Sequence, residues 1–318
     1  MIAVDVPPGL RELFFPDDLW ARLRALGPLT DRLTADTTVA VTSWPSPPIS
    51  AELLAASPRL GLVAHTGATL RPYVTDEAFA YGVRFTQAGA AMAHAVAEQA
   101  LALTLALLHR VHRFDHALRT GVAWTAAKQA PPRRELRDCP VGVIGASRTG
   151  RAYVRLVRAL GARVVVTDPY LGPAEATELG VRVVPLDELL TGSRVVALHA
   201  PVLPETRGML GVRELSLLQS GAVLVNTARS ALVDMPALYH LVRTEHVDAA
   251  LDVFDEEPLP VDHPLRGLPN VLLTPHEAGG TLEARRRAGE IVIGEITRFL
   301  GGRPLEHEVT SAALARMG

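Results

Sequence analysis

Past residue 140 the chain alternates between short apolar runs and stretches with helical spacing. Val141–Gly145, Arg163–Thr167, Arg194–His199, Ala222–Asn226, Asp248–Val253 and Val271–Thr274 predict strands. They are dense in Val, Leu and Ala rather than strictly alternating, the pattern of strands that helices cover on both faces. Helices are predicted between them, around Arg148–Leu160, Leu186–Leu190, Val212–Leu218 and Met235–Arg243. This alternation, sustained over about 150 residues, predicts a doubly wound parallel sheet.

The first hundred residues follow the same style more loosely. Met1–Val6, Thr38–Thr42, Leu60–His65 and Val83–Thr86 read as strands, and Asp17–Leu26, Ser50–Ser57 and Thr75–Tyr81 as helices. Ala88–Arg119 is one long Ala- and Leu-rich pattern with room for a kink, suited to connecting two lobes. The loop Thr120–Asp138, with Pro131 and Pro132, separates it from the central unit, and a last helix is expected over about Thr281–Leu300. The expected fold is α/β, with two Rossmann- or flavodoxin-like doubly wound parallel-sheet lobes and a cleft between them. Ligands of such sheets sit outside the carboxyl ends of the strands.

Composition narrows the partners. Apolar residues are 48% and charged residues 21% of the 318, with a mean hydropathy of +0.18, so a packed core is expected. A net charge of −2 leaves no basic excess for nucleic acid. The single cysteine, Cys139, excludes a disulfide framework and a cysteine-rich zinc site. Met1–Asp5 lacks a basic signal-peptide start, and the apolar stretch near Ala100–Leu108 is shorter than the about 20 residues of a membrane span. A cytoplasmic protein with no membrane partner is expected. Lys128 is the only lysine, which confines any Schiff-base chemistry to one loop position. His109, His112 and His116 share one helical face, but without a cysteine and with Asp115 off the stripe they read as a solvated face, and no metal is expected.

Two patterns carry chemistry. Val141–Gly150 runs a strand into a G-x-S-x-x-G turn, Gly145, Ser147 and Gly150, and then a helix. Main-chain N–H groups at such a helix start can approach a pyrophosphate closely. Ser147 replaces the middle glycine, and its hydroxyl could donate to a phosphate. Asp168 lies 23 residues after Gly145, at the end of the next strand, where a carboxylate binds ribose hydroxyls. No arginine follows it in Pro169–Leu171 to offset a 2′-phosphate, which predicts NAD rather than NADP. The second pattern is polar residues after three further strands: Arg229, Glu257 and His276. Arginine offers a planar fork for a carboxylate, and a histidine beside a glutamate is suited to proton transfer, with the carboxylate favouring its charged form.

In these segments the chain resembles the D-isomer-specific 2-hydroxyacid dehydrogenases. The matching stretches are Val141–Gly150 with Asp168 and Pro169, His199–Arg207, Val225–Asp234, Leu251–Pro258 and Thr274–Thr281. The resemblance implies that Arg229, Glu257 and His276 are the catalytic trio and that Asp252 holds the nicotinamide carboxamide. It also implies cofactor contacts from Arg148, Thr149, Thr206, Thr227, Ala228 and Gly279. His199 is expected either to touch the cofactor or to be a hydrogen-bonded core histidine. The dinucleotide domain is expected over 106–285, and the substrate domain over 1–105 plus 286–318. Members are commonly homodimers. The expected activity interconverts a 2-oxo acid and a D-2-hydroxy acid. The alternatives are an NAD(H)-sensing regulator on the same fold and a dehydrogenase of another small anion such as phosphite.

The first lobe departs from the family pattern. The stretch matching its carboxylate-binding turn is Ala64–Arg71, with Arg71 where acidic character is common. The N–H groups around Thr66, Gly67 and Ala68 are still suited to cradle a carboxylate. Arg71 reads either as a solvated charge or as a contact to a second anionic group of the substrate.

Overall fold

The computed structural model describes residues 1–129, 131–314 and Met317. The chain divides into two compact units, one of Met1–Ala93 with Gly280–Gly318 and one of His94–Gly279. The sequence places these boundaries near 105 and 286. The difference lies in the helix Gly89–Leu108. Its Ala97, Ala100, Leu103 and Leu107 belong to the core of the second unit, so the boundary falls inside the helix. This helix is 20 residues long and apolar enough, by length and composition, to cross a membrane. That corrects the expectation drawn from Ala100–Leu108. Burial of its second half in a protein core is the ordinary reading of such a helix.

The first unit holds strands β1 (Ile2–Asp5), β2 (Leu29–Thr30), β3 (Val39–Thr42), β4 (Leu62–His65) and β5 (Arg84–Gln87). They form a parallel sheet in the order β2-β1-β3-β4-β5. Its core gathers Val63, Phe85, Leu54, Ile49 and Leu70. The helix Leu282–Leu300, capped by Thr281 through the Ala284 N–H, returns the chain to this unit. There it crosses so closely that a Cβ on Gly289 would lie 1.9 Å from the Phe14 carbonyl oxygen. The part of the expected substrate segment at 315, 316 and 318 lies outside the described residues.

The second unit holds β6 (Pro140–Ile144), β7 (Arg163–Thr167), β8 (Arg182–Val183), β9 (Val195–Leu198), β10 (Ala222–Asn226), β11 (Val247–Leu251) and β12 (Val271–Leu273). Their order is β12-β11-β10-β9-β6-β7-β8, all parallel. Successive residues feed opposite faces: Val141, Val195 and Val223 enter one core, and Val196, Leu198 and Leu224 the other. Both faces are therefore apolar, which is why these strands read as continuous runs rather than alternating ones. Strand order reverses between β6 and β9, the switch point at which such sheets bind ligands.

The helical pattern over 88–119 is broken at Arg110, which adopts a left-handed φ of 59° between Gly89–Leu108 and Val111–Arg119. His109 thus lies before the break and His112 and His116 after it, so the three do not share one helical face. Among the described residues no group of three or more His, Cys, Asp or Glu is placed to hold a metal ion.

Candidate active site

Beyond β6 the chain turns at Gly145, whose φ of +95° only glycine adopts readily. The turn packs tightly on the end of β9: a Cβ on Gly145 would lie 2.5 Å from the Ala200 nitrogen. On Gly150 it would lie 2.1 Å from the Gly145 carbonyl oxygen. Ser147 is the N-cap of the helix Arg148–Ala159, its Oγ accepting from the Gly150 N–H at 3.2 Å. The serine thus serves helix initiation directly, and its own O–H remains available as a donor. Helix geometry leaves the N–H groups of Arg148 and Thr149 without helical acceptors, and the first turn carries no acidic residue. Asp168 at the end of β7 accepts from the Ala146 N–H at 2.6 Å and the Tyr170 N–H at 2.7 Å, which fixes its carboxylate beside the turn. A capped helix start without acidic neighbours, flanked by one fixed carboxylate, is a donor set that fits a pyrophosphate and an adjoining ribose.

His199 follows β9 and is 4% exposed. Its ring packs 5.0 Å from Tyr153, and neither ring nitrogen has a hydrogen-bond partner among the described residues. The expected hydrogen-bonded core histidine is therefore not what the structure contains. Burial pulls its pKa down to about 3, so the ring is neutral at physiological pH. Thr206 uses its hydroxyl within its own loop, donating to the Pro201 carbonyl and accepting from the Leu203 N–H, both at 2.7 Å. Thr227 is buried, and its Oγ1 has no protein partner among the described residues.

Arg229, Glu257 and His276 follow the carboxyl ends of the adjacent strands β10, β11 and β12. Each is held by main-chain chemistry. Asn226, the buried last residue of β10, clamps the turn: its Nδ2 donates to the Arg229 carbonyl at 2.9 Å and its Oδ1 accepts from the Ala228 N–H at 3.0 Å. The Arg229 guanidinium donates to the Ala228 carbonyl at 2.6 Å. Burial pulls its pKa below the ordinary arginine value, against the opposing pull of the nearby Glu257 charge. Glu257 accepts from the Phe254 N–H at 2.9 Å through one oxygen and meets His276 Nδ1 at 2.7 Å through the other. With Glu257 ionised, Nδ1 carries the proton, and Nε2 is the ring nitrogen left to exchange one.

His276 itself stands at φ +54° in the loop after β12. Asp252, fully buried after β11, ties that loop down. It accepts from the Thr274 hydroxyl and the Glu277 N–H through one oxygen and from the Ala278 N–H, at 3.0 Å, through the other. Both oxygens of Asp252 thus face its own chain. Gly279 follows in the same loop. Asn226 and Thr274 are positioning residues that the sequence analysis did not single out. Their signal was a short polar side chain at the end of an apolar strand, suited to bonding the backbone that follows.

In the first unit, the segment Thr66–Ala68 follows β4. Thr66 is buried, with its Oγ1 unpartnered among the described residues, and its N–H bonds the Thr42 carbonyl at 2.9 Å. A Cβ on Gly67 would lie 2.8 Å from His65 Nε2 and 3.0 Å from Trp44 Nε1, so only glycine fits there. His65 is fully buried, bonded to Thr42 Oγ1 at 3.1 Å through Nδ1, and burial lowers its pKa to about 4. Arg71 is exposed, and its Nε donates to the Met317 carbonyl at 2.7 Å.

The profile of the D-isomer specific 2-hydroxyacid dehydrogenase NAD-binding domain matches residues 101–278. The D-3-phosphoglycerate dehydrogenase of Mycobacterium leprae is 38% identical over 255 residues, 80% of this chain and 48% of the relative. The chain thus spans about half the length of that relative. The glyoxylate reductase of Korarchaeum cryptofilum is 34% identical over 267 residues, 83% of this chain and 80% of the relative. Among solved structures, a Thermus thermophilus protein superposes with a TM-score of 0.84 at 29% identity, covering 97% of this chain and 99% of that one. A D-2-hydroxyisocaproate dehydrogenase shares the fold, with a TM-score of 0.85 at 23% identity over 98% of this chain and 99% of that one.

Proposed function

Because this chain belongs to the D-isomer-specific 2-hydroxyacid dehydrogenase family, we propose that it interconverts a 2-oxo acid and a D-2-hydroxy acid with NAD. The observation that carries this reading is the Glu257–His276 contact of 2.7 Å beside a half-buried Arg229, on three neighbouring strand ends. The bound nicotinamide supplies or takes the hydride. Arg229 binds the substrate carboxylate with its planar fork and polarises the C2 oxygen, which a lysine would do as a point charge only. His276 delivers a proton from Nε2 to that oxygen in reduction and removes it in oxidation. Glu257 fixes the tautomer and orientation of the ring through Nδ1.

For the cofactor, the reading gives the pyrophosphate to Ser147, Arg148, Thr149 and the turn Gly145–Gly150, and the ribose to Asp168. It gives Thr206, Thr227, Ala228, His199 and Gly279 supporting contacts, and Asp252 acts through the loop it holds. The N–H groups of Gly67 and Ala68 are proposed as a further carboxylate cradle, without that of Thr66, which is bonded to the Thr42 carbonyl. A homodimer belongs to the same proposal. It is supported by Val111, Leu118, Val122 and Trp124, large apolar residues exposed along one short segment.

The test is NADH oxidation, with NADPH in parallel, against glyoxylate, pyruvate, hydroxypyruvate and its phosphate ester, and branched and aromatic 2-oxo acids. Turnover with at least one acid is expected, reduced about 10²-fold or more in His276→Asn with NADH affinity retained. Undiminished turnover in that variant would remove His276 from the acid role.

A further inference from the structure

The second sheet carries a charged cavity at the edge opposite the trio. Arg194 directly precedes β9, Gly221 precedes β10, and Glu245 and Asp248 bracket the start of β11. At about 3.3 Å per residue the five residues of β10 separate this edge of the sheet from the edge that carries the trio by roughly 17 Å. The cavity has a volume of about 280 Å³, and its remaining charged wall is Arg110, Arg113 and Arg134.

Four guanidinium groups here face two carboxylates. Both carboxylates are already engaged: Asp248 pairs closely with Arg110 and at 3.1 Å with Arg113, and Glu245 meets Arg113 at 2.9 Å. Among the described residues Arg194 bonds only neutral groups, the Ser220 carbonyl at 2.8 Å and the Gln219 side-chain oxygen at 3.5 Å. Arg134 makes no ion pair among the described residues. The lining therefore carries a formal excess of two positive charges. Arg110 is 9% exposed, and its Nε and that of Arg113 are buried donors with no partner among the described residues. Unpaired buried donors of charged groups are costly, and Arg110 also holds a left-handed backbone that disfavours any residue with a Cβ. Arg194 and Arg134, guanidinium groups with no carboxylate partner among the described residues and set in a concave site, suit an oxyanion.

We propose that this cavity binds a phosphoryl dianion, either inorganic phosphate or the phosphate of a small ester. Two negative charges match the excess of two, whereas a monocarboxylate leaves one unmatched. Tetrahedral phosphoryl oxygens accept from several arginine forks at once. The volume, about nine waters at ~30 Å³ each, admits the phosphoryl group with a short organic tail but not a polynucleotide.

The experiment titrates NADH-saturated protein with inorganic phosphate and with glycerol 3-phosphate by calorimetry, at ionic strength matched with chloride. One saturable site is expected. Its affinity should fall about tenfold or more in Arg194→Gln and in the exposed Arg134→Gln, with thermal unfolding checking that each variant folds. It should persist in Arg229→Gln. Tighter binding of the ester identifies an ester as the ligand, and equal binding identifies free phosphate. A response no larger than that of chloride, unchanged affinity in both cavity variants, or loss of binding in Arg229→Gln instead would overturn the proposal.

Discussion

The role of Asp252 separates two accounts of the site. The family resemblance gives it to the nicotinamide, whereas the structure turns both of its oxygens toward the loop that carries His276. Replacing it with asparagine keeps the shape and removes one acceptor. Whichever way the amide faces, an NH2 then meets a main-chain N–H, the buried one of Ala278 or the part-buried one of Glu277. An unpaired buried amide N–H costs about 1–3 kcal/mol. The remaining bonds from Thr274 and the backbone lose their charge assistance, which is about half of their strength. Together these predict a loss of about 2–4 kcal/mol, seen as a drop of about 1 M in the urea midpoint for a slope of about 3 kcal/mol/M. With its loop released, His276 no longer holds its left-handed position, and kcat should fall by about 10²-fold, the scale of a lost acid–base group. NADH affinity, read by quenching of nucleotide fluorescence, should change less than about threefold. An unchanged urea midpoint with NADH affinity weakened tenfold would refute this reasoning and return Asp252 to the cofactor.

Two further outcomes follow from packing and titration. Gly150→Ala drives a Cβ into the Gly145 carbonyl, so it should destabilise by about 1–3 kcal/mol and weaken NADH binding at least tenfold. Gly192→Ala, at a helix end with nothing within 4 Å of the new methyl, should do neither. His65 is neutral in the fold, with a pKa near 4 against 6.5 when exposed. As pH falls, the unfolded chain takes up a proton that the folded state refuses. Its contribution is therefore complete above pH 6.5 and is lost between 6.5 and 4. At 1.36 kcal/mol per unit this amounts to about 3 kcal/mol. Urea unfolding at pH 7 and pH 4 should show a smaller pH-dependent loss in His65→Asn than in the parent; equal losses would mean that the ring protonates inside the fold.

The parts of this fold that local sequence reveals are those whose causes are local. Arg163–Thr167 and Ala222–Asn226 are strands with the predicted bounds because an apolar run buried on both faces leaves no competing pattern. The edge strands β2 and β8 were missed because two residues carry no period. The trio was legible because each member follows a strand that was itself legible. A kink in the Ala88–Arg119 pattern was legible but its place at Arg110 was not: the break contains neither Gly nor Pro, and the group paired with Arg110 is Asp248, 138 residues away. Asp248 within β11 and Asp252 directly after it make the same point. Only Ala249, Ala250 and Leu251 separate them, and both are buried. Yet Asp248 faces two arginines, whereas Asp252 accepts two main-chain N–H groups and a hydroxyl. The parallel order explains the difference. At the carboxyl edge of the sheet helices begin, as at Ser147 and Asp234, and bare N–H groups favour anions. At the other edge helices end, as at Ala159 and Arg243, and bare carbonyls favour cations, so arginines collect there and need a carboxylate to hold them. Two aspartates four residues apart thus acquire opposite partners from the direction of one strand, which no window of sequence around either of them specifies.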